Sequence, residues 1–259
     1  MNHTTTGLSH YQAVQQLSKL YHCESTLEAI KQHRIDVGFD EITRKCFDAS
    51  GIECILMDDL FRAYGKVAHP SDWHDQYTAS KTKRIVRIES VAEEVAVSLK
   101  EGDYMTFQDK YVQKLKSAAT DPEVVGLKSV VCYRTGLDIG PRNEKEMRKE
   151  FKGWYEKCMH EGSLRINYKP INDWIVEIAI IIAGEVGIPI QFHTGLGDQD
   201  LRLLKANPAH MQNLIERFPE TKFVLLHSAY PYTREAGYLA AVYENVFLDC
   251  MASSRLTDV

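Results

Sequence analysis

Ile188-Pro189-Ile190-Gln191-Phe192-His193-Thr194 is a short apolar run that ends in a histidine. Phe223-Val224-Leu225-Leu226-His227-Ser228 repeats that form, with the second histidine 34 positions after the first. The interval is that of one strand-helix-strand unit, and runs this brief and apolar suit parallel strands buried on both faces. In a (β/α)₈ barrel, side chains at the carboxyl ends of adjacent strands converge over the barrel mouth. Two imidazoles brought together there would form a divalent-metal site or an acid/base pair. The spacing leaves one alternative open, two separate strand-end histidines bonded to loop backbone.

The same grammar extends in both directions. Strands are predicted at 53–58, 84–89, 126–131, 189–194, 222–228 and 246–251. Helical stretches fall between them, at 40–50, 89–100, 104–119, 143–160, 171–186, 208–218 and 233–244. Gly51 and Gly187 follow two of these helices, as C-capping glycines do. Alternating β and α elements predict a parallel sheet with right-handed crossovers. Residues 8–34 read as helix with no strand before them, and only eight residues follow Met251. Six strands fall short of the eight that close a barrel. The expectation is an α/β fold, a (β/α)₈ TIM barrel missing its first and last strands; an open doubly wound sheet is the other solution. The domain reading is a helical region over 1–36 and a partial barrel over 37–259.

A net charge of -5 over 259 residues gives no electrostatic case for nucleic acid. The basic cluster Lys81, Lys83, Arg84 and Arg87 is interrupted by other residues and reads as a solvated face or strand edge. The most hydrophobic stretch, 174–182, contains Glu177 and is too short to span a bilayer; it reads as a helix buried against a sheet, with no membrane partner. Six cysteines without a CxxC pair fit reduced thiols of a cytoplasmic protein and argue against cysteine-bound zinc. His69 and His74 read as surface-loop residues.

Polar groups recur at the strand ends. The first strand ends in Asp58-Asp59, which suit a helix cap as well as catalysis. The second ends in Glu89, placed to bind substrate or to open the next helix at its positive end. The third carries Lys128 and runs into Tyr133-Arg134-Thr135-Gly136. Lys128 pointing inward would stabilise an anion or, once carbamylated, bind metal; pointing outward it would snorkel. Arg134 would clamp a substrate carboxylate or pair with a loop acid. His193 is followed by Gly195, Asp198 and Asp200, and the sixth strand ends in Asp249. The candidate set is His193 and His227 for metal, His227 and Lys128 for catalysis, and Arg134, Tyr133 and Glu89 for substrate.

Five segments resemble the amidohydrolase-related metal-dependent hydrolases. They are Tyr21-His22-Cys23-Glu24-Ser25-Thr26-Leu27-Glu28, Val125-Gly126-Leu127-Lys128-Ser129, Tyr133-Arg134-Thr135-Gly136-Leu137, Gln191-Phe192-His193-Thr194-Gly195-Leu196-Gly197-Asp198, and Val224-Leu225-Leu226-His227-Ser228-Ala229-Tyr230-Pro231. The nearest likeness is to the amidohydrolase-like domain fused ahead of a glutamine synthetase-like domain in fungal FluG-type and plant nodulin-related proteins. The resemblance implies a (β/α)₈ barrel and a divalent metal, zinc first, with manganese or iron as alternatives. It places His193 at the fifth-strand ligand position and His227 at the sixth, with Lys128 on the fourth strand where some relatives carry a carbamylated lysine. The His-x-His of the first strand and the aspartate of the eighth have no counterpart, since Asp258 is only nine residues past Asp249. By resemblance both terminal strands and three site residues are missing, as in a truncated gene product, a splice form or a partial domain, and metal would be held weakly.

The function implied is hydrolysis of a C–N, amide-like bond in a small nitrogenous substrate. A related decarboxylase, or a non-catalytic scaffold or interaction domain derived from the fold, is the alternative. A homo-oligomer that covers exposed sheet edges is a further expectation, as is a glutamine synthetase-like partner domain in longer relatives.

Overall fold

A computed structural model describes residues 7–58, 69–161 and 165–249. The expectations placed on Asp59, Cys250, Met251 and Asp258 lie outside these residues. The chain divides into two compact units, one of residues 1–57 with 67–83 and one of 58–66 with 84–259.

The first unit holds helices α1 (Leu8–Tyr21), α2 (Leu27–Val37) and α3 (Phe39–Ser50). The run expected to be helical over 8–34 holds two helices. His22 turns left-handed at φ 56, and Thr26 caps α2 by accepting from the Ala29 N–H at 3.1 Å. Tyr21, Ile30 and Ile42 form a small core. A 3₁₀ segment, Ser71–Tyr77, carries Trp73, on which His69 stacks at 4.1 Å, and Tyr77, whose hydroxyl donates to Asp40 at 2.5 Å.

Six strands stand in sequence order in one sheet: β1 (Leu56–Asp58), β2 (Lys83–Arg87), β3 (Val124–Ser129), β4 (Ile190–Phe192), β5 (Phe223–Leu225) and β6 (Val246–Leu248), with β2 to β6 pairing parallel. Neighbours in sequence are neighbours in the sheet, the order of a barrel wall and not of a doubly wound sheet. All six expected strands are present among the described residues. The architecture is α/β, of the incomplete-barrel kind.

Helices α4 (Ile88–Val97), α5 (Tyr104–Ala119), α6 (Glu144–Glu161), α7 (Lys169–Val186), α8 (Gln212–Arg217) and α9 (Thr233–Val242) belong to the second unit. Asp103 caps α5, accepting from the Thr106 N–H at 2.8 Å, and Gly187 ends α7 at φ 82. Burial explains α7. It packs against α4, α5, α6, β3 and β4, and every residue from 171 to 180 is buried. Trp174 there meets Tyr104, Phe107 and Tyr111, so the helix is apolar almost all round because it is enclosed. Each such large side chain contributes about 1.5–3 kcal/mol by leaving water. No helix among the described residues is long and apolar enough to cross a membrane.

Candidate active site

The two histidines sit one residue beyond Phe192 and two beyond Leu225. Phe192 is fully buried in the core, so the strand's alternation turns His193 to the other side. The His193 N–H donates to the Ser129 carbonyl at 3.1 Å and continues the β3–β4 ladder one step past the strand.

His227 is placed by a more costly device. His227, Ser228 and Ala229 have φ of 65°, 50° and 51°, three successive non-glycine residues in the left-handed region. Each costs roughly 1–2 kcal/mol for an L-residue. Asp249, just past β6, holds the bend: its Oδ2 accepts the His227 N–H at 3.1 Å, and its carbonyl accepts the Ser228 N–H at 2.8 Å and the Ser228 hydroxyl at 3.0 Å. Strain held this firmly is a mark of functional positions.

The bend sets His227 Nε2 3.1 Å from His193 Nδ1, with ring centroids 4.6 Å apart. His193 Nε2 lies 2.9 Å from the Leu196 carbonyl. A carbonyl only accepts, so Nε2 carries the His193 proton and Nδ1 presents its lone pair toward His227. Burial first, then the neighbouring His227 and Lys128, lowers the His193 pKa to about 4, against the opposing Leu196 bond. Burial and Lys128 also lower that of His227, with Asp249 opposing. Both rings are therefore neutral near pH 7, the state in which imidazole binds metal.

Beside His193 opens a cavity of about 320 Å³ lined by Arg87, Lys128, Tyr133, Arg134, Arg165 and His193 with Val130, Asp198 and Asp200. Tyr133 lies against His193 at 4.5 Å between ring centroids. Its hydroxyl occupies space that any side chain at position 197 would fill, since a Cβ on Gly197 would stand 2.2 Å from it. Burial raises the Tyr133 pKa, so the phenol stays protonated. Arg165 donates to the Tyr133 carbonyl at 2.8 Å and to Asp200 at 2.6 Å.

Lys128 points inward. Its Nζ stands 3.2 Å from Asp58 Oδ2, which also accepts from Arg87. Carbamylation would set a second carboxylate against Asp58, so this geometry suits the ammonium form. Asp58 is the acid shared by two strand-end cations; the helix that it was read as capping, as an alternative to catalysis, lies outside the described residues. Arg134 reaches Glu93 at 3.3 Å.

Glu89 is 1% exposed and stands outside the cavity lining. It occupies the first turn of α4, and its Oε1 accepts from Ser129 Oγ at 2.6 Å and from the Val130 N–H at 3.0 Å. Its contact is with the backbone that carries Lys128 and Tyr133. Burial raises its pKa against those bonds.

Of the residues singled out from sequence, His193, Lys128, Tyr133 and Arg134 share one cavity, and His227 joins them through His193. Arg87 was read as part of a solvated basic face, yet it lines the cavity. Its register opposite Lys128 at the end of an apolar strand was the available signal. Arg165 had none, because it lies in an irregular segment far from any strand end.

The histidine pair fits part of a metal shell. Two nitrogens bound to one zinc-like ion at about 2.0–2.1 Å stand roughly 3.0–3.4 Å apart, and this pair lies at 3.1 Å. The Leu196 carbonyl on the far nitrogen of His193 is the kind of outer contact that orients a ligand ring. Among the described residues no group of three or more His, Cys, Asp or Glu joins into a ligand cluster. The fit is thus to two positions of a shell.

Comparison with known proteins gives a family and a fold. Residues 109–257 match the amidohydrolase family model. Protein fluG of Emericella nidulans is 39% identical over 269 residues, covering 93% of this chain and 30% of its own length. A crystal structure of a Lactobacillus casei ATCC 334 protein described as a metal-dependent hydrolase superposes with a TM-score of 0.82 at 26% identity, covering 98% of this chain and 65% of that one. The chain therefore spans less than two thirds of either relative. With the family match extending over more than half its length, and the paired strand-end histidines lying inside that match, the chain belongs to the amidohydrolase family.

Proposed function

We propose that this chain is a metal-dependent hydrolase domain that cleaves a C–N, amide-like bond in a small nitrogenous substrate. The observation that carries the reading is the pair of imidazoles, His193 and His227, meeting at the carboxyl ends of β4 and β5 beside a cavity. His193 Nδ1 and His227 Nε2 are the atoms that would hold the ion. When bound, a divalent ion, zinc by preference, supplies positive charge and a water of lowered pKa.

The chain's own residues supply the remainder. The Leu196 carbonyl and Asp249 fix the two rings, through the His193 Nε2–H and the His227 backbone respectively. The Tyr133 phenol, protonated and beside His193, donates a hydrogen bond to a polarised substrate oxygen. Lys128 and Arg134 hold substrate anions, and Glu89 keeps the end of β3 in place. The free cysteines support a cytoplasmic setting. The short share of fluG that the chain covers supports a further domain in longer relatives, of glutamine synthetase type by the resemblance.

The test has two readouts. Purified protein is incubated with zinc, manganese or iron, desalted and analysed for metal, then assayed for ammonia or amine release from a panel of small amides. Near-stoichiometric metal in the wild type, lost in His193→Ala and His227→Ala with the fold retained, is expected. Metal uptake unchanged by either substitution, or no release from any amide by the metal-loaded protein, would refute the reading.

A further inference from the structure

The cationic wall of the cavity is built by two neighbouring strands. Arg87 closes β2 and lies in register with Lys128 of β3. Both reach Asp58, and the side chains of all three are less than one-fifth exposed. Arg134 adds a second guanidinium, 14% exposed, whose Nε is buried and makes no hydrogen bond. Asp58 and Glu93, the acids that hold these cations, stand outside the cavity lining. The wall thus presents N–H donors, and its counter-charges lie behind it. Of the two acids that do line the cavity, Asp200 is bonded to Arg165 and Asp198 lies on the same loop after β4.

We infer that this wall is a carboxylate pocket, and that the substrate is a short acidic amide whose carboxylate docks on Arg87, Lys128 and Arg134 while its amide lies at the histidines. The placement of the amide rests on the function proposed above; the anion pocket does not. Guanidinium groups meet carboxylates in a two-pronged geometry and the ammonium adds a point charge, both strengthened where water is partly excluded. Neighbouring strands lie about 4.8 Å apart. Lys128 is one strand from His193 and Arg87 is two, so carboxylate and amide are separated by roughly 5–10 Å. The separation selects a compact substrate with its charge set apart from the reacting bond. Arg87 is then a specificity-determining residue.

Calorimetric titration of the purified chain with glutarate and with glutaramide, its neutral counterpart, tests the pocket without turnover or metal. Glutarate is expected to bind at least tenfold tighter at low ionic strength, to weaken at high salt, and to lose tenfold in Arg87→Gln with glutaramide binding unchanged. Equal affinity for the two compounds, no binding of glutarate, or undiminished glutarate binding by a folded Arg87→Gln would overturn the inference. If Arg87→Gln does not fold, Lys128→Gln and the wild-type comparison decide on the same criteria. Glutarate binding without amide cleavage by the metal-loaded protein would keep the pocket and remove the hydrolase reading. Cleavage of neutral amides in preference to acidic ones would do the reverse.

Discussion

Asp249 Oδ2 accepts the backbone N–H of His227 at 3.1 Å, across the gap between the ends of β5 and β6. That bond fastens a bend of three left-handed residues, and the bend turns His227 toward His193. A side-chain acceptor on one strand end thereby sets the ring position on the next. Asp249→Ala should cost about 1–3 kcal/mol, the loss of a charged acceptor from a partly buried donor. Asp249→Asn keeps an oxygen in place and should cost less. Denaturant melts give the stability, and imidazole NMR resonances of His227 report the ring. An unmoved His227 signal in Asp249→Ala would show that the bend holds itself.

Two glycines with positive φ give a paired prediction. Gly187 (φ 82) ends α7 with nothing within 4 Å of a built Cβ, whereas a Cβ on Gly195 (φ 70) would stand 2.3 Å from the Tyr230 carbonyl oxygen. Gly187→Ala meets only the left-handed penalty, roughly 1–2 kcal/mol. Gly195→Ala must also push backbone aside, because the Leu196 N–H bonds that same carbonyl at 2.6 Å. It should be the more destabilising of the two by thermal melting and should disrupt the His193–Leu196 contact. Equal melting temperatures would contradict this packing.

Glu89 predicts a pH effect. Its folded pKa is raised by burial, so from the ordinary glutamate range up to that raised value the native state holds the extra proton. Stability contributed by this group is present at low pH and falls as pH rises through the window. His193 and His227 act in the opposite sense, since their lowered pKa values make stability rise with pH. The difference between wild type and Glu89→Gln isolates the carboxyl. Glutamine retains an oxygen for Ser129 and Val130, so the variant should gain on the wild type as pH climbs from 4 to 8. A constant difference in urea melts across that range would rule out a buried ionising carboxyl.

How much was legible in sequence follows from what each element buries. The strands were readable because a parallel strand enclosed on both faces must be a brief apolar run, as in 188–192 and 223–226. The α5 helix, Tyr104–Ala119, was readable because Asp103 caps it and Phe107, Tyr111 and Leu115 recur on one face. His193 and His227 were readable because they interrupt apolar runs at equivalent places. The break at His22 was not, because a lone histidine in a left-handed turn leaves no compositional trace and the amphipathic pattern runs on through it. Glu89 was read either as a substrate-binding group or as the opener of its helix; it lies in the first turn of α4, and its depth was hidden because its partners, Ser129 and Val130, lie 40 and 41 positions away in the chain. Arg87 needed the register with Lys128, which exists only once the sheet forms.

The ion pairs of Asp58 yield an asymmetry. One carboxylate serves Lys128 and Arg87, so removing Lys128 leaves the acid with Arg87, while removing the acid's charge withdraws from both cations, on adjacent strands, the counter-charge they share. Breaking a buried pair by deleting one partner costs about 3–5 kcal/mol when the survivor is left uncompensated. These side chains keep 17–19% exposure, which places the cost toward the lower end. Asp58→Asn should therefore destabilise more than Lys128→Met, and the double variant should recover part of the loss because one of the two charges goes with the lysine. Added glutarate should raise the melting temperature of Asp58→Asn more than that of Lys128→Met, since it can stand in for the missing negative charge. Thermal melts of the three variants with and without glutarate measure all of these terms. Additive losses in the double variant would mean that Asp58 and Lys128 act independently despite their 3.2 Å contact.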